Sequence, residues 1–517
     1  SFDLVLYAMT DGDPAPLRSG LYKAGLYGTR VVVQRIDGPS LPFTDYFADE
    51  VRWSIRSSDM TTAIAPGEIY RMVRPCGGVL SITCSPAAAA EIRPALTAAG
   101  VPDDEISVTT DGIRVSRGSL PGSGEWTHQY GDPGKRAASD ERRVRLPLKA
   151  AWFGGLGPAT ILSRHFRTPA PLVTSGRCFV PGLDHLTAID IYNGRTLWQR
   201  SLPDVAHWPA TYRGSGVAVD PTTVYALQGR NCLLLDAATG ETRATFELPR
   251  EALDSSGKES IWEYLAVTEE LLIGTAGQPN IKRSWWSRAY PVSLVLFALR
   301  KRTGQVRWIY RAEEGLDSNA IAIDDGLICL IDGRPWYGFL SRIGATSSAT
   351  NEQPRRLFAL NSANGQVLWR QEDLAPAQNS LWMDDGVVVA TPNPIGKNMT
   401  DPGVIKAGGG ITAYSTRDGS VLWRAEHSGT VQPMIIDGVF YSPDAYDLHT
   451  GQPLHWPESD KRRSLRAGTG CSTYSGCPTL AMSRFSSLGF KDLDGQYSSF
   501  TYPVVRSSCW INMIPAG

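Results

Sequence analysis

The sequence has no CxxC or CxxCH motif, no two adjacent cysteines and no run of 18 apolar residues. The first absence excludes covalent haem attachment and a cysteine-type zinc site. The last excludes a membrane-spanning helix. Charge of one sign is lacking too: 51 Lys+Arg stand against 52 Asp+Glu. That balance leaves no electrostatic footprint for nucleic acid or another polyanion. The seven histidines show no metal-ligand spacing. GxSxG, HExxH and glycine-rich phosphate loops are missing, so hydrolase and nucleotide-binding readings have no motif. The chain has no initiator Met and no signal peptide; it opens at Ser1 on "FDLVLY" and closes on "CWINMIPAG", both strand-like. Both ends are therefore expected to be truncated or processed.

What is abundant points elsewhere. The chain has 517 residues, 42% of them hydrophobic, with 15 Trp and 19 Tyr, enough for a large core. Its 51 Gly and 35 Pro suit many short strands joined by turns. Of eight cysteines, Cys471, Cys477 and Cys509 cluster near the C-terminus. A disulfide there and separate buried thiols are both compatible with that spacing.

Two regions follow different patterns. Residues 1–118 alternate strands and helices: "FDLVLY", a helix over "DPAPLRSGLYKAGLYG", "TRVVVQRID", "ADEVRWSI", a helix over "PGEIYRMVRP", "CGGVLSITC", and the Ser-capped "SPAAAAEIRPALTAAG". A hairpin turning at Asp111-Gly112 closes the series. Residues 119–124 read as a linker, and from 125 to 517 short alternating runs bounded by Gly, Asp, Asn and Pro indicate all-β structure.

The second region repeats. Ala188-x-Asp190, Gly194 and Trp198 recur as Asp236 and Gly240, then Ala298, Gly304 and Trp308. They recur again as Ala359, Gly365 and Trp369, then Ala413, Gly419 and Trp423. Weaker copies lie at Gly451 and Gly495. The period is about 50 residues and holds about four strands, which describes a β-propeller blade. A Trp at a fixed place in each blade is expected to pack between neighbouring blades.

The motif Ala-x-Asp-x-x-x-Gly-x-x-x-Trp resembles the pyrroloquinoline quinone (PQQ)-like repeat of quinoprotein alcohol dehydrogenase-like propellers. The resemblance implies an eight-bladed propeller, with seven as the alternative, led in by "EWTHQYGDPGKRAASDERRVRLPLKAAWFGG" and its Trp152. The first region resembles the later part of a class I S-adenosylmethionine-dependent methyltransferase. In that family, acids matching Asp11 and Asp37 bind the cofactor's ribose and lie near its adenine, and "RPCGG" matches the turn before the fifth strand. The family's glycine-rich loop has no counterpart here, so the region is expected to be incomplete and S-adenosylmethionine binding is not expected. Together the two parts resemble exported PQQ-repeat proteins typical of planctomycetes, which implies a periplasmic or extracellular location.

Active quinoproteins hold Ca²⁺ with acidic and amide oxygens, use an Asp base and an Arg beside PQQ, and often carry a disulfide between adjacent cysteines. No such set can be assigned by motif; Asp324, Asp325, Asp384 and Asp385 are explained by turn chemistry. Long inserts instead fall between equivalent strands of successive repeats and are rich in aromatics and arginine: Arg283, Trp285, Trp286, Arg288 and Tyr290 in one, Arg334, Trp336, Tyr337 and Arg342 in another. Equivalent loops share one propeller face. The sequence therefore predicts a non-catalytic module that binds a protein, glycan or small ligand on that face. The alternatives are a PQQ- and Ca²⁺-dependent oxidoreductase acting on an alcohol or sugar, and a methyltransferase in a longer form of the protein.

Overall fold

The chain divides into two units, Ser1–Leu120 and Pro121–Gly517. The structure, a computed structural model, describes residues 6–517 apart from 11, 37, 56–63, 153–155, 157–167, 204, 206–213, 254–259, 278–292, 334–354, 373, 376–377, 393–409, 427–431, 457–464, 466–472, 485–486, 495–498 and 503–512.

In the first unit, β1 (Leu6–Thr10) pairs in parallel with β2 (Val31–Arg35), and α1 (Ala15–Lys23) connects them. A separate sheet has the order β3 (Glu50–Ser54), β4 (Val79–Thr83), β6 (Gly112–Ser116), β5 (Ile106–Thr109). The β3–β4 pairing is parallel, and β6 lies antiparallel between β4 and β5. Helices α2 (Pro66–Arg71) and α3 (Pro86–Ala98) cover this second sheet with Ile69, Ile92 and Leu96 against Leu80, Ile82 and Val115. The Ser85 hydroxyl caps α3 by accepting the Ala88 N–H at 3.2 Å. α1, by contrast, buries none of its residues.

The second unit is built from antiparallel sheets. β7–β10 (Leu172–Thr174, Arg177–Pro181, His185–Asp190, Thr196–Ser201) form one, and β11–β14 (Val217–Val219, Thr223–Gln228, Asn231–Asp236, Thr242–Glu247) the next. β15–β21 run on as a single seven-stranded sheet (Ile261–Val267, Leu271–Gly277, Ser293–Arg300, Val306–Asp324, Leu327–Asp332, Arg356–Asn361, Val367–Gln371). Its long β18 pairs first with β17 and then, past an irregularity between Leu316 and Ile321, with β19, so it serves two repeats. β22–β25 (Gln378–Asp384, Val387–Pro392, Ile411–Ser415, Val421–Ala425), β26–β28 (Met434–Ile436, Val439–Tyr441, Ala445–Asp447) and β29–β32 (Ser475–Cys477, Leu480–Arg484, Leu488–Asp492, Ser499–Tyr502) complete the series.

The repeat motif links each sheet to its neighbour. The motif Asp begins the turn: Asp190, Asp236 and Asp447 each accept the two backbone N–H groups that follow in their turns. The motif Gly ends the turn in the left-handed region, with φ +74° at Gly240. The Trp of the preceding repeat lies flat against it, and a Cβ on Gly240 would stand 2.7 Å from the Trp198 ring. The same contact joins Trp152 to Gly194, Trp308 to Gly365, Trp369 to Gly419 and Trp423 to Gly451. In all five, the indole N–H donates to the carbonyl three residues before that glycine, at 2.7 to 3.1 Å. Where Ala244 replaces Trp, Phe246 covers Gly304 instead. Only glycine permits this approach, so the recurring glycine turn and the Trp packing are one device.

A second link is axial. Residues 126–139 pass a strand of every sheet of this unit in chain order, meeting the seven-stranded sheet twice, at β15 and β18. Trp126 exchanges two backbone hydrogen bonds with Val173 of β7, at 2.8 and 2.7 Å. Val219 of β11 donates to the Thr127 carbonyl at 3.1 Å, and Val267 of β15 to His128 Nε2 at 3.0 Å. Ile323 of β18, Met383 of β22, Ile435 of β26 and Gly476 of β29 donate to the carbonyls of Pro133, Gly134, Arg136 and Ala137 at 2.8 to 3.1 Å. Each of these N–H groups lies on a buried strand edge that would otherwise lack a partner. The ends meet as well: Gly517 donates to the Gly124 carbonyl at 3.0 Å, and the Tyr192 hydroxyl to the Gly517 carbonyl at 2.8 Å.

Candidate functional site

The axial segment forms the floor of a cleft of about 900 Å³ in the second unit. Asp132 and Arg136 come from the segment itself; Asp324 and Asp384 end the strands β18 and β22; Arg300 and Arg307 stand on the wall. The turn geometry separates the paired acids that the sequence presents together. Asp325 and Asp385 take the left-handed turn positions, with φ of 42° and 44°, whereas Asp324 and Asp384 are the last residues of their strands.

Arg136 gathers the floor. It is hydrogen-bonded to Asp132 four residues earlier, to Asp140 at 3.1 Å, and lies 3.9 Å from Asp384. Burial works against its charge, and the Asp132 and Asp140 carboxylates more than offset it, so the guanidinium stays above its usual range. The acids are less satisfied. Burial raises Asp132, with Arg136 opposing. Burial and the neighbouring Asp132 raise Asp324. Burial pushes Asp384 up to about 6; Arg136 opposes this, while Asp132, Asp324 and Asp385 add to it. Several carboxylates thus share one guanidinium, and burial with their mutual repulsion favours the protonated form of each.

His128, also on the axial segment, is a structural group. Its Nε2 accepts the Val267 N–H, and Nδ1 lies 2.8 Å from the Thr127 hydroxyl. Burial pushes it down to about 3, which keeps the ring neutral. Among the described residues, no three His, Cys, Asp or Glu side chains stand close enough to hold a metal. Among the described residues the cleft does not fit a PQQ–Ca²⁺ pair: no group of acidic side chains there could hold the ion, and Arg136 is already held by Asp132 and Asp140.

The residues singled out from sequence separate into two groups. Trp198, Trp308, Trp369 and Trp423 and their glycines lie between repeats, away from the cleft floor. Asp11, Asp37, Arg283, Trp285, Trp286, Arg288, Tyr290, Arg334, Trp336, Tyr337 and Arg342 lie outside the described residues. So do Cys471 and Cys509, while Cys477 is a buried thiol. Sequence reasoning missed Asp132, Arg136 and the cleft-lining role of Asp324 and Asp384. The available signal was the spacing of Asp132, Arg136 and Asp140, an i, i+4 charge series in a segment without repeat periodicity.

A family model described as outer membrane protein assembly factor BamB matches residues 159–335 and 344–441, more than half of the chain. The chain belongs to this family. The architecture of the BamB-family unit is accordingly mostly β and propeller-like. BamB from Moraxella catarrhalis is 14% identical, with a TM-score of 0.40; the match covers 68% of this chain and 92% of that one. Quinohemoprotein alcohol dehydrogenase from Comamonas testosteroni is also 14% identical, with a TM-score of 0.41, over 72% of this chain and 60% of that one. The computationally designed Ika8 protein is 13% identical, with a TM-score of 0.42, over 66% and 89%. No curated protein matches the chain. No described helix is long and apolar enough to cross a membrane.

Proposed function

We propose that this BamB-family protein is an exported, non-catalytic propeller that binds a protein partner, taking part of that partner into the axial cleft. The observation that carries the reading is the axial segment. It fills the centre with backbone hydrogen-bonded to every sheet, and it leaves a charged cleft above Asp132, Arg136 and Asp384. The mixed charge of the lining suits a protein surface better than a flat cofactor, whose sites are mostly apolar. The family description as an outer membrane protein assembly factor supports both a protein partner and a location outside the cytoplasm. The seven strands that meet residues 126–139 in one pass support seven blades, the alternative to the eight-bladed reading. The aromatic and Arg-rich inserts around Trp286 and Trp336 are a second contact surface in this reading.

A photo-crosslinking residue at Arg307, in cells that make the full chain, is expected to give a discrete protein adduct that Asp384→Lys removes. Adducts from the Trp286 and Trp336 positions alone would move the site to the inserts. Adding PQQ and Ca²⁺ is expected to produce no dye-linked dehydrogenase activity; turnover of an alcohol or sugar would overturn the non-catalytic reading.

For the first unit we infer a methyltransferase-like region, supported by parallel strands joined by helices and a final antiparallel hairpin. Titration with S-adenosylmethionine is expected to give no heat, and saturable binding would reverse that inference.

A further inference from the structure

Next to the cleft, in a second cavity that shares Asp132 and Pro133 with it, the axial segment buries a lysine against β18. Lys135 is 6% exposed and sits at φ +69°, a left-handed conformation unusual for a residue with a long side chain. Its Nζ donates to the Asn319 carbonyl and lies over two rings, 5.1 Å from Trp382 and 5.5 Å from Tyr130. Beside it is a small cavity of about 30 Å³, shared with Gln129, Ser215 and Tyr264. Gln129 is 6% exposed; its Oε1 accepts the Ala170 N–H at 3.0 Å, and its buried Nε2 has no hydrogen-bond partner among the described residues. A buried N–H without a partner costs free energy unless something in the cavity accepts from it.

We propose that Lys135 is an imine-forming lysine that condenses with a one- or two-carbon aldehyde held in this cavity. The cavity volume sets the size limit, being room for one or two waters. Gln129 Nε2 supplies the donor for the carbonyl oxygen, and Tyr264 the proton donor. The amine lone pair attacks the carbonyl carbon, the C=O electrons pass to oxygen, and the ammonium proton moves to that oxygen. Tyr264 then protonates the hydroxyl, which leaves as water while the nitrogen lone pair forms C=N. The iminium proton returns to the Tyr264 phenolate. One aldehyde and one amine give one imine and one water, and no oxidant is needed.

The electrostatics agree with this use. Burial pushes the Lys135 ammonium down to about 7, with Asp317 opposing. Burial holds the Tyr264 phenol above its usual range, so it stays protonated. The titratable groups around the amine are Asp317 on β18, Tyr264 on β15, and His128, Tyr130 and Asp132 on the axial segment. His128 is neutral by burial, and Asp132 is committed to Arg136.

The test is reductive alkylation of the intact chain with formaldehyde and cyanoborohydride, read by peptide mass spectrometry. At pH 7, Lys135 is expected to be methylated about tenfold faster than the exposed Lys23 and Lys149, despite its burial. Its rate should level off above pH 7 rather than climb towards 10. Tyr264→Phe, with an unchanged circular dichroism spectrum, should slow Lys135 about tenfold and leave Lys23 unaffected. Methylation of Lys23 and Lys149 with Lys135 unreacted would overturn the proposal. So would an unchanged Lys135 rate in Tyr264→Phe.

Discussion

Helix α1 of the first unit leaves Leu17 and Tyr22 53% and 77% exposed, while Trp198, Trp308 and Trp423 of the second unit are each under 10% exposed. All of these are large, mostly apolar side chains. The difference lies in what stands next to them. A repeat supplies a neighbour with the same shape, so Trp152, Trp198, Trp308, Trp369 and Trp423 each meet a glycine turn that receives the ring. α1 and the two-stranded β1–β2 sheet have no such neighbour among the described residues of their unit. A two-stranded sheet is marginal by itself. Stability in the second unit therefore comes from closure, first through the axial segment and then through the Trp–Gly contacts.

The strongest way to break that contrast is to open the axis. Gly131 has φ +94°, and a Cβ there would stand 2.5 Å from the Ala138 carbonyl oxygen. Gly131→Val combines backbone strain with a clash in the segment that every sheet shares. It is expected to cost more than about 4 kcal/mol and to broaden or abolish the main thermal transition. Hydrogen exchange should meanwhile leave Leu80, Ile82 and Val115 of the first unit protected. A sharp transition at the original temperature would mean that the axial segment is an ornament rather than a hub.

Next comes a single interrepeat contact. Trp308→Ala removes a ring that covers Gly365 and an indole N–H bonded to the Ser362 carbonyl at 2.7 Å. A loss of about 3–5 kcal/mol is expected by chemical denaturation. Phe246→Ala should cost a similar amount, because Phe246 holds the corresponding place over Gly304. If Phe246→Ala were nearly neutral, that junction would be the weak point of the series.

These two levels of closure were not equally legible. The Trp–Gly motif recurs at a fixed period, so the sequence displays it several times, and the hairpin geometry follows from Asp and Gly chemistry. The substitution of Phe246 for the missing Trp was invisible, since Phe246 lies two residues beyond the motif position. The axial segment occurs once and has no period. Its partners are backbone N–H groups, which leave no mark on residue choice. The candidate cleft was hidden for a related reason: Asp324-Asp325 and Asp384-Asp385 look like turn chemistry, and only the second member of each pair has that task. In the first unit the strand–helix alternation was readable, but the lack of cover on α1 is a property of tertiary packing.

A smaller effect tests the charge stored at the cleft. Asp384 is raised to about 6 in the folded chain, above its unfolded value, so the folded state takes up a proton more readily. Its contribution to stability therefore improves as pH falls from about 6 to about 4, and is unfavourable above 6. Asp384→Asn should stabilise the second unit by about 1–2 kcal/mol at pH 8, allowing for partial solvent screening. The gain should shrink towards pH 4. His128, neutral by burial, loses stability in the opposite sense as pH falls below its unfolded range, so the variant must be compared with the parent at each pH. Destabilisation at pH 8 would mean that the 3.9 Å approach to Arg136 outweighs burial.

The smallest expected effect lies at the other side of the comparison. Tyr22→Ala removes a 77% exposed ring from α1. Alanine also has the higher helix propensity, so the helix itself gains a few tenths of a kcal/mol. The net change should stay within about 0.5 kcal/mol. Leu17→Lys, at a 53% exposed position, should behave the same way and leave the solution mass of the chain unchanged. A loss of 2 kcal/mol or more from either change would require a partner for α1 in solution. The contrast between the units would then be one of where each finds its neighbour: within the repeat for the second, in another molecule for the first.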